Sequence, residues 1–249
     1  MKRKNFFMAI LIAFCVQTSF AQETGVVING VTWATRNVGA PGTFAAAPES
    51  SGMFYQWNRP TAWSTTGSVS GWDSSNSTGT TWETANDPSP AGWRVPTMEE
   101  LAKLIDATKV DFAFTTENGI NGGRFTDKTT GNSIFLPAVG GRNNSSGDIV
   151  SAGVYGMYSS STFYDINFCY GFSFSNSIIP YSDIGTKASG RSVRPVKSGS
   201  TGIYDVSVDT ENAKVTGYFD ILGRKLTEEP TKGIYIIQYD NGKTKKMMR

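Results

Sequence analysis

The chain has 249 residues, with 23 Lys and Arg against 21 Asp and Glu, two cysteines and no histidine. A near-neutral balance argues against nucleic acid as a partner, because phosphate binding needs clustered cations. The lack of histidine excludes Ser-His-Asp and Cys-His nucleophiles and every imidazole metal site.

Residues 1–21 read as an export signal. Lys2, Arg3 and Lys4 form a basic start, Phe6 to Val16 a short apolar run, and Ser19-Phe20-Ala21 offers small residues before a cleavage at Gln22. The run is too short to span a bilayer comfortably. Bulky Phe14 ahead of Cys15 argues against a lipoprotein signal. Nothing later in the sequence is long and apolar enough for a membrane helix, so the mature chain is expected to be exported without a span. Losing three basic and no acidic residues takes the net charge from +2 to −1. Cys169 is then the remaining thiol, which rules out both an intrachain disulfide and a thiolate zinc site.

Val26 to Thr35 predicts a hairpin turning at Asn29-Gly30. Residues 64–82 are rich in Ser, Thr and Gly around Trp72 and Trp82, and read as a long surface insertion. Asp87-Pro88-Ser89-Pro90-Ala91-Gly92-Trp93-Arg94-Val95-Pro96-Thr97 predicts a turn, a tryptophan-centred strand and an abrupt helix start. Thr97 and Glu100 fit a capping box, and Leu101, Leu104 and Ile105 give an amphipathic helix of about three turns. Farther on, Arg124 to Asp127 and Ser133 to Leu136 flank Thr129-Thr130-Gly131-Asn132 as a second hairpin. Val154 to Ser159, Tyr170 to Phe174 and Ser192 to Val196 read as strands. One or two helices beside many short strands predict an α+β class.

Four separated segments carry a resemblance. Asp87 to Leu101, Leu136-Pro137-Ala138-Val139-Gly140-Gly141-Arg142, Gly153 to Ser161 and Gly190-Arg191-Ser192-Val193-Arg194-Pro195-Val196 occur in the order of motifs in the Fibrobacter succinogenes major paralogous domain. That family is common in secreted and surface proteins. The resemblance implies a C-type-lectin-like core, related to the formylglycine-generating-enzyme fold, over residues 22–198. The formylglycine-generating relatives use a cysteine pair, so a lone Cys169, in an apolar-aromatic strand that suits a buried inert thiol, argues against that chemistry. Ser89 and Pro195 stand where the family usually has two cysteines, which implies that packing replaces a bridge.

A composition shift at Ser198-Gly199-Ser200-Thr201-Gly202 marks a linker to a small all-β module over residues 199–249. Its runs Tyr218 to Leu226 and Lys232 to Lys246 resemble the C-terminal sorting domain of type IX secretion substrates, which implies secretion machinery as a partner.

No motif points to a catalytic residue, a metal or a cofactor. Asp73, Glu83, Asp87, Asp148 and Asp165 lie near aromatic insertions, where two carboxylates in a polysaccharide hydrolase would be sought. Each also suits a turn or cap. The aromatic inventory is more suggestive. Trp33, Trp57 and Trp93 sit in strand-like contexts and are assigned to the core. Trp63, Trp72 and Trp82, in or beside the polar insertion, are candidates for exposure. Asn143, Asn144, Tyr155, Tyr158, Phe163 and Tyr164 form a second polar-aromatic cluster of the kind found on adaptable binding surfaces. The leading reading is a secreted or cell-surface, non-catalytic binding module for a glycan or an extracellular protein. The alternatives are the hydrolase and a structural envelope protein without a discrete ligand.

Overall fold

A computed structural model describes residues 23–199, 214–220, 223–231, 234–240 and 244–248. The predicted leader, Ser200 to Gly202 of the linker, Ile221-Leu222, Gly233 and the Asn241-Gly242 turn lie outside the described residues. Two compact units divide the chain, one through Val196 and one from Lys197.

The first unit opens with β1 (Val26–Ile28) and β2 (Val31–Trp33), paired antiparallel as predicted. Asn29 and Gly30 both take positive φ, 45° and 77°, the left-handed pair that a two-residue hairpin turn requires. β3 (Phe54–Tyr55) and β4 (Trp93–Arg94) are short. Between them residues 64–82 run as bends without helix or strand.

Helix α1 (Met98–Leu104) begins where the sequence says it should. Thr97 Oγ1 accepts from the Glu100 amide at 3.3 Å, and the Glu100 carboxylate accepts from the Thr97 amide at 2.8 Å. Its N-terminus is tied to the rest of the unit by the Met98 amide, which donates to Thr162 Oγ1 at 2.9 Å. The helix is shorter than the three turns expected. Asp106 accepts from both the amide and the hydroxyl of Thr108, closing an Asx turn that competes with another helical turn.

Next come β5 (Val110–Glu117), β6 (Ile120–Asp127) and β7 (Ser133–Pro137), which form a three-stranded antiparallel sheet. β8 (Gly141–Arg142) and β9 (Ile149–Val150) make a two-stranded ladder. β10 (Tyr155–Phe163), β11 (Phe168–Ser175), β12 (Tyr181–Thr186) and β13 (Arg191–Ser192) join β3 in a five-stranded sheet ordered β12-β11-β10-β13-β3. β14 (Val196–Lys197) enters between β2 and β4, so the closing motif hydrogen-bonds into the same sheet as the Trp93 signature.

These findings correct the expected α+β, C-type-lectin-like class. Among the described residues strand makes up 40% and helix only 5%, α1 is the one α-helix, and the strands form several small sheets with no closed barrel. Beyond α1 the sequence sustains no 3.6-residue period. Alternating β-prone runs broken by turns favour paired strands instead.

The larger core cluster joins α1, through Leu101 and Leu104, to Trp33, Phe125, Tyr158, Phe172 and Phe174. Gly156 makes this packing possible. It stands directly across from Phe174, and a Cβ there would lie 2.2 Å from that ring. The second cluster holds Val38, Tyr55, Trp57, Trp82, Val95, Cys169 and Val193.

In the second unit, β15 (Val215–Phe219), β16 (Lys225–Leu226), β17 (Ile234–Tyr239) and β18 (Thr244–Met248) form an antiparallel sheet ordered β16-β15-β17-β18. Tyr235, Ile237 and Tyr239 alternate onto one face of β17 and are buried against Tyr218 and Leu226. Among the described residues, no helix is long and apolar enough to cross a membrane.

Candidate functional site

The insertion that follows β3 folds back on its own start and leaves a polar groove. Its volume is about 500 Å³, and it is lined by two segments, Asn58 to Thr61 and Ser75 to Thr78, together with Asn86. Asn58 takes a left-handed conformation, φ 54°. Its Oδ1 accepts from the Glu83 amide at 2.8 Å and from Asn86 Nδ2 at 3.1 Å. The Arg59 guanidinium reaches the second segment, donating to Ser75 O at 3.1 Å and Ser75 Oγ at 3.0 Å and pairing with Asp73. Hydrogen bonds from Ser75, then Arg59, hold the Asp73 carboxyl well below the usual carboxylate range. The groove therefore presents amides, hydroxyls and one charge-compensated guanidinium.

Beneath it lies a cation. Lys187 is fully buried, with its ammonium 4.6 Å from the ring centroids of both Trp57 and Phe163. It donates to Gly79 O at 3.0 Å and Ser77 O at 3.5 Å, the backbone of the groove wall. Burial pushes its pKa down, opposed in part by the carboxylate of Asp165. Trp57 Nε1 donates to Ser160 O at 3.1 Å and Ser77 Oγ donates to Trp57 O at 2.7 Å, so the wall is anchored to the core strand β10.

The predicted aromatic candidates separate into different roles. Trp63 and Trp72 do meet, at 4.9 Å between ring centroids, and Trp72 Nε1 donates to Asn144 O at 3.0 Å. The insertion and the Asn143 loop, read from the sequence as separate clusters, thus come together by packing. Trp72 lies against Gly147 and Gly190, and Trp63 is only partly exposed. Asn143 spends its Oδ1 on the amides of Ser145 and Ser146 in a turn. Trp82, expected at the surface, is buried against Trp57 with ring centroids 5.7 Å apart. Tyr158 is also no surface residue. It stacks on Phe172 at 5.4 Å, donates to Pro137 O at 2.9 Å, and burial pushes its hydroxyl up to about 12. Phe163 is half-buried over Lys187, and Tyr155 is half-buried at the start of β10. Tyr164 is exposed and meets Tyr170 edge-on at 5.2 Å. The two insertion tryptophans are drawn inward because apolar rings on a long polar loop are the groups that can tether it.

Of the carboxylates near the insertions, Asp87 accepts from the Ser89 and Val95 amides and Asp165 from those of Asn167 and Phe168. Apart from the Val95 bond, which ties Asp87 to the chain eight residues on, these are turn contacts, as is the bond from the Ser75 amide to Asp73. Cys169 is buried, as expected, and desolvation raises its thiol pKa to about 11.

Sequence reasoning passed over the groove itself. Its signals were local: Asn58 ahead of Arg59-Pro60, and Asp73 two residues before Ser75. Neither involves an aromatic ring, which is where a search for binding residues looks first. No family model, curated protein or solved structure matches this chain.

Proposed function

We propose that the protein is an exported, non-catalytic binding module that takes a glycan in the Asn58–Asn86 groove. The observation that carries this reading is the chemistry of the lining. Side-chain amides and hydroxyls, with a guanidinium already neutralised by Asp73, match the alternating donors and acceptors of an uncharged polyol. A cavity of about 500 Å³ falls in the usual range for small-ligand sites and suits a short saccharide segment. The leader, the resemblance to the Fibrobacter succinogenes major paralogous domain and the sorting-like tail support an address outside the cell, with the tail engaging secretion machinery.

Thr61 and Thr78 line the groove and are exposed, so enlarging them blocks it without cutting into the core. On a glycan array the purified protein should be retained on a restricted set of saccharides. Thr61→Tyr with Thr78→Tyr should lower that retention about tenfold or more. Equal retention by the blocked variant, or no retention by the unaltered protein, removes the groove reading. Release of shortened soluble product favours hydrolysis instead.

A further inference from the structure

Seven of the eleven exposed large hydrophobic residues among the described ones fall between Tyr164 and Ile184. They lie on β11, on β12 and in the two loops that flank β11. Ile166 and Ile179, each 76% exposed, lie in the loops at the two ends of β11, and Tyr181 and Ile184 lie on β12 itself. β12 is the outermost strand. It pairs with β11 through six consecutive residues without a register shift, and among the described residues no strand pairs with its other side.

Solitary edges are normally guarded by lysines, prolines, bulges or free charges. β12 has none of these within it. Its one charge, Asp183, is already bonded to Arg191 at 2.6 Å and to Ser173 Oγ at 2.5 Å. Lys187, immediately after the strand, turns its ammonium inward to the Ser77 and Gly79 carbonyls. The result is a regularly paired edge without free charge, flanked by apolar residues.

We infer that β12 pairs antiparallel with β12 of a second copy of this chain. A strip without free charge meets itself with no like-charge repulsion, and its neutrality gives a charged partner nothing to complement. The opposite edge of the same sheet, β3, is two residues long and bridged by Trp63, so it offers no second template. Pairing through β12 is therefore isologous and closes at a dimer rather than growing into a fibre.

Sedimentation velocity on the purified full chain should show a dimer whose share rises with concentration. Ile184→Lys should weaken association about tenfold or more. Its melting temperature should hold, because Ile184 is 47% exposed. Ile120→Lys, at a comparably exposed position on β6, should leave the dimer intact. Independently, hydrogen exchange of the β12 amides in the unaltered protein should slow as concentration rises. A monomer at all concentrations, open-ended growth, a dimer untouched by Ile184→Lys or one broken equally by Ile120→Lys overturns the inference. So do β12 amides whose exchange is independent of concentration.

Discussion

Buried cations without carboxylate partners do much of the work of holding this chain's loops. Arg142, 1% exposed, donates to Ser64 O at 2.8 Å, Gly67 O at 2.9 Å and Thr66 O at 3.3 Å, and also to Gly147 O. Arg194, fully buried, holds Thr35 O at 2.5 Å and Asn37 Oδ1 at 2.9 Å, and burial lowers its pKa to about 10. Arg142 and Arg194 stand in two of the segments singled out in the sequence, Leu136 to Arg142 and Gly190 to Val196, and the physical reason for them is now visible. A planar guanidinium presents several fixed donors, so one side chain satisfies carbonyls from segments far apart in the chain. Arg142→Met keeps most of the volume but leaves those carbonyls unpaired. It should cost about 3 kcal/mol or more, judged from charged hydrogen bonds of roughly 1.5–3 kcal/mol each. Limited proteolysis should then cut at residues 64–67 before any other site, and an unchanged urea midpoint with no new cleavage would contradict the role. None of this was legible beforehand, because a carbonyl-bound arginine has no partner residue type to search for. Cys169 and the core tryptophans were legible, since an apolar context alone decides their burial.

Elements whose geometry is set within a few residues were readable, and those set by distant contacts were not. The Asn29-Gly30 hairpin and the Thr97 cap belong to the first kind, a cap of this type being worth about 1 kcal/mol. The end of α1 was misjudged by a turn because Asp106 competes for the backbone, a local signal that the apolar period of Leu101, Leu104 and Ile105 conceals. The capping box also has an electrostatic side. Glu100 is bound by Arg94 through two bonds of 2.6 and 2.8 Å as well as by Thr97. Burial alone would raise its pKa, but the bonds from Arg94 and Thr97 outweigh it and the net direction is down. A carboxylate with a depressed folded pKa stabilises the fold above its unfolded pKa and loses that contribution as pH falls through the folded value. Glu100→Gln keeps the acceptor for the Thr97 amide and removes the charge. Near neutrality it should cost about 1 kcal/mol, a figure held down by the partial exposure of Arg94. The gap between the two proteins should close as pH drops below the ordinary glutamate value of 4.5. Parallel stability curves across that window would show that the ion pair contributes nothing.

At the scale of the molecule, the number of short strands was foreseeable from the turns between them, while their assembly into five sheets was not. β14 pairs with β2 across more than 160 residues, and β10 runs parallel to β13, so register there depends on tertiary packing rather than on any local turn. The boundary near residue 197 has a different origin. Both core clusters of the first unit draw only on residues up to Val196, and the cluster around Tyr235 only on the second unit. Among its described residues the second unit buries three on one face of a four-stranded sheet, a core of marginal size for independent stability. Urea should therefore unfold the chain in two steps, the smaller unit first and with the shallower slope, because the slope follows the surface exposed. Removing residues 199–249 should erase the first step and leave the midpoint of the second unchanged. A fall in that midpoint, or aggregation of residues 22–198 alone, would mean that the two units share stabilising contacts. If the truncated form folds, fractionating the producing cells tests the tail's role separately: retention inside the cell supports a sorting function. Normal display would reduce the tail to an appendage whose sheet stabilises only itself.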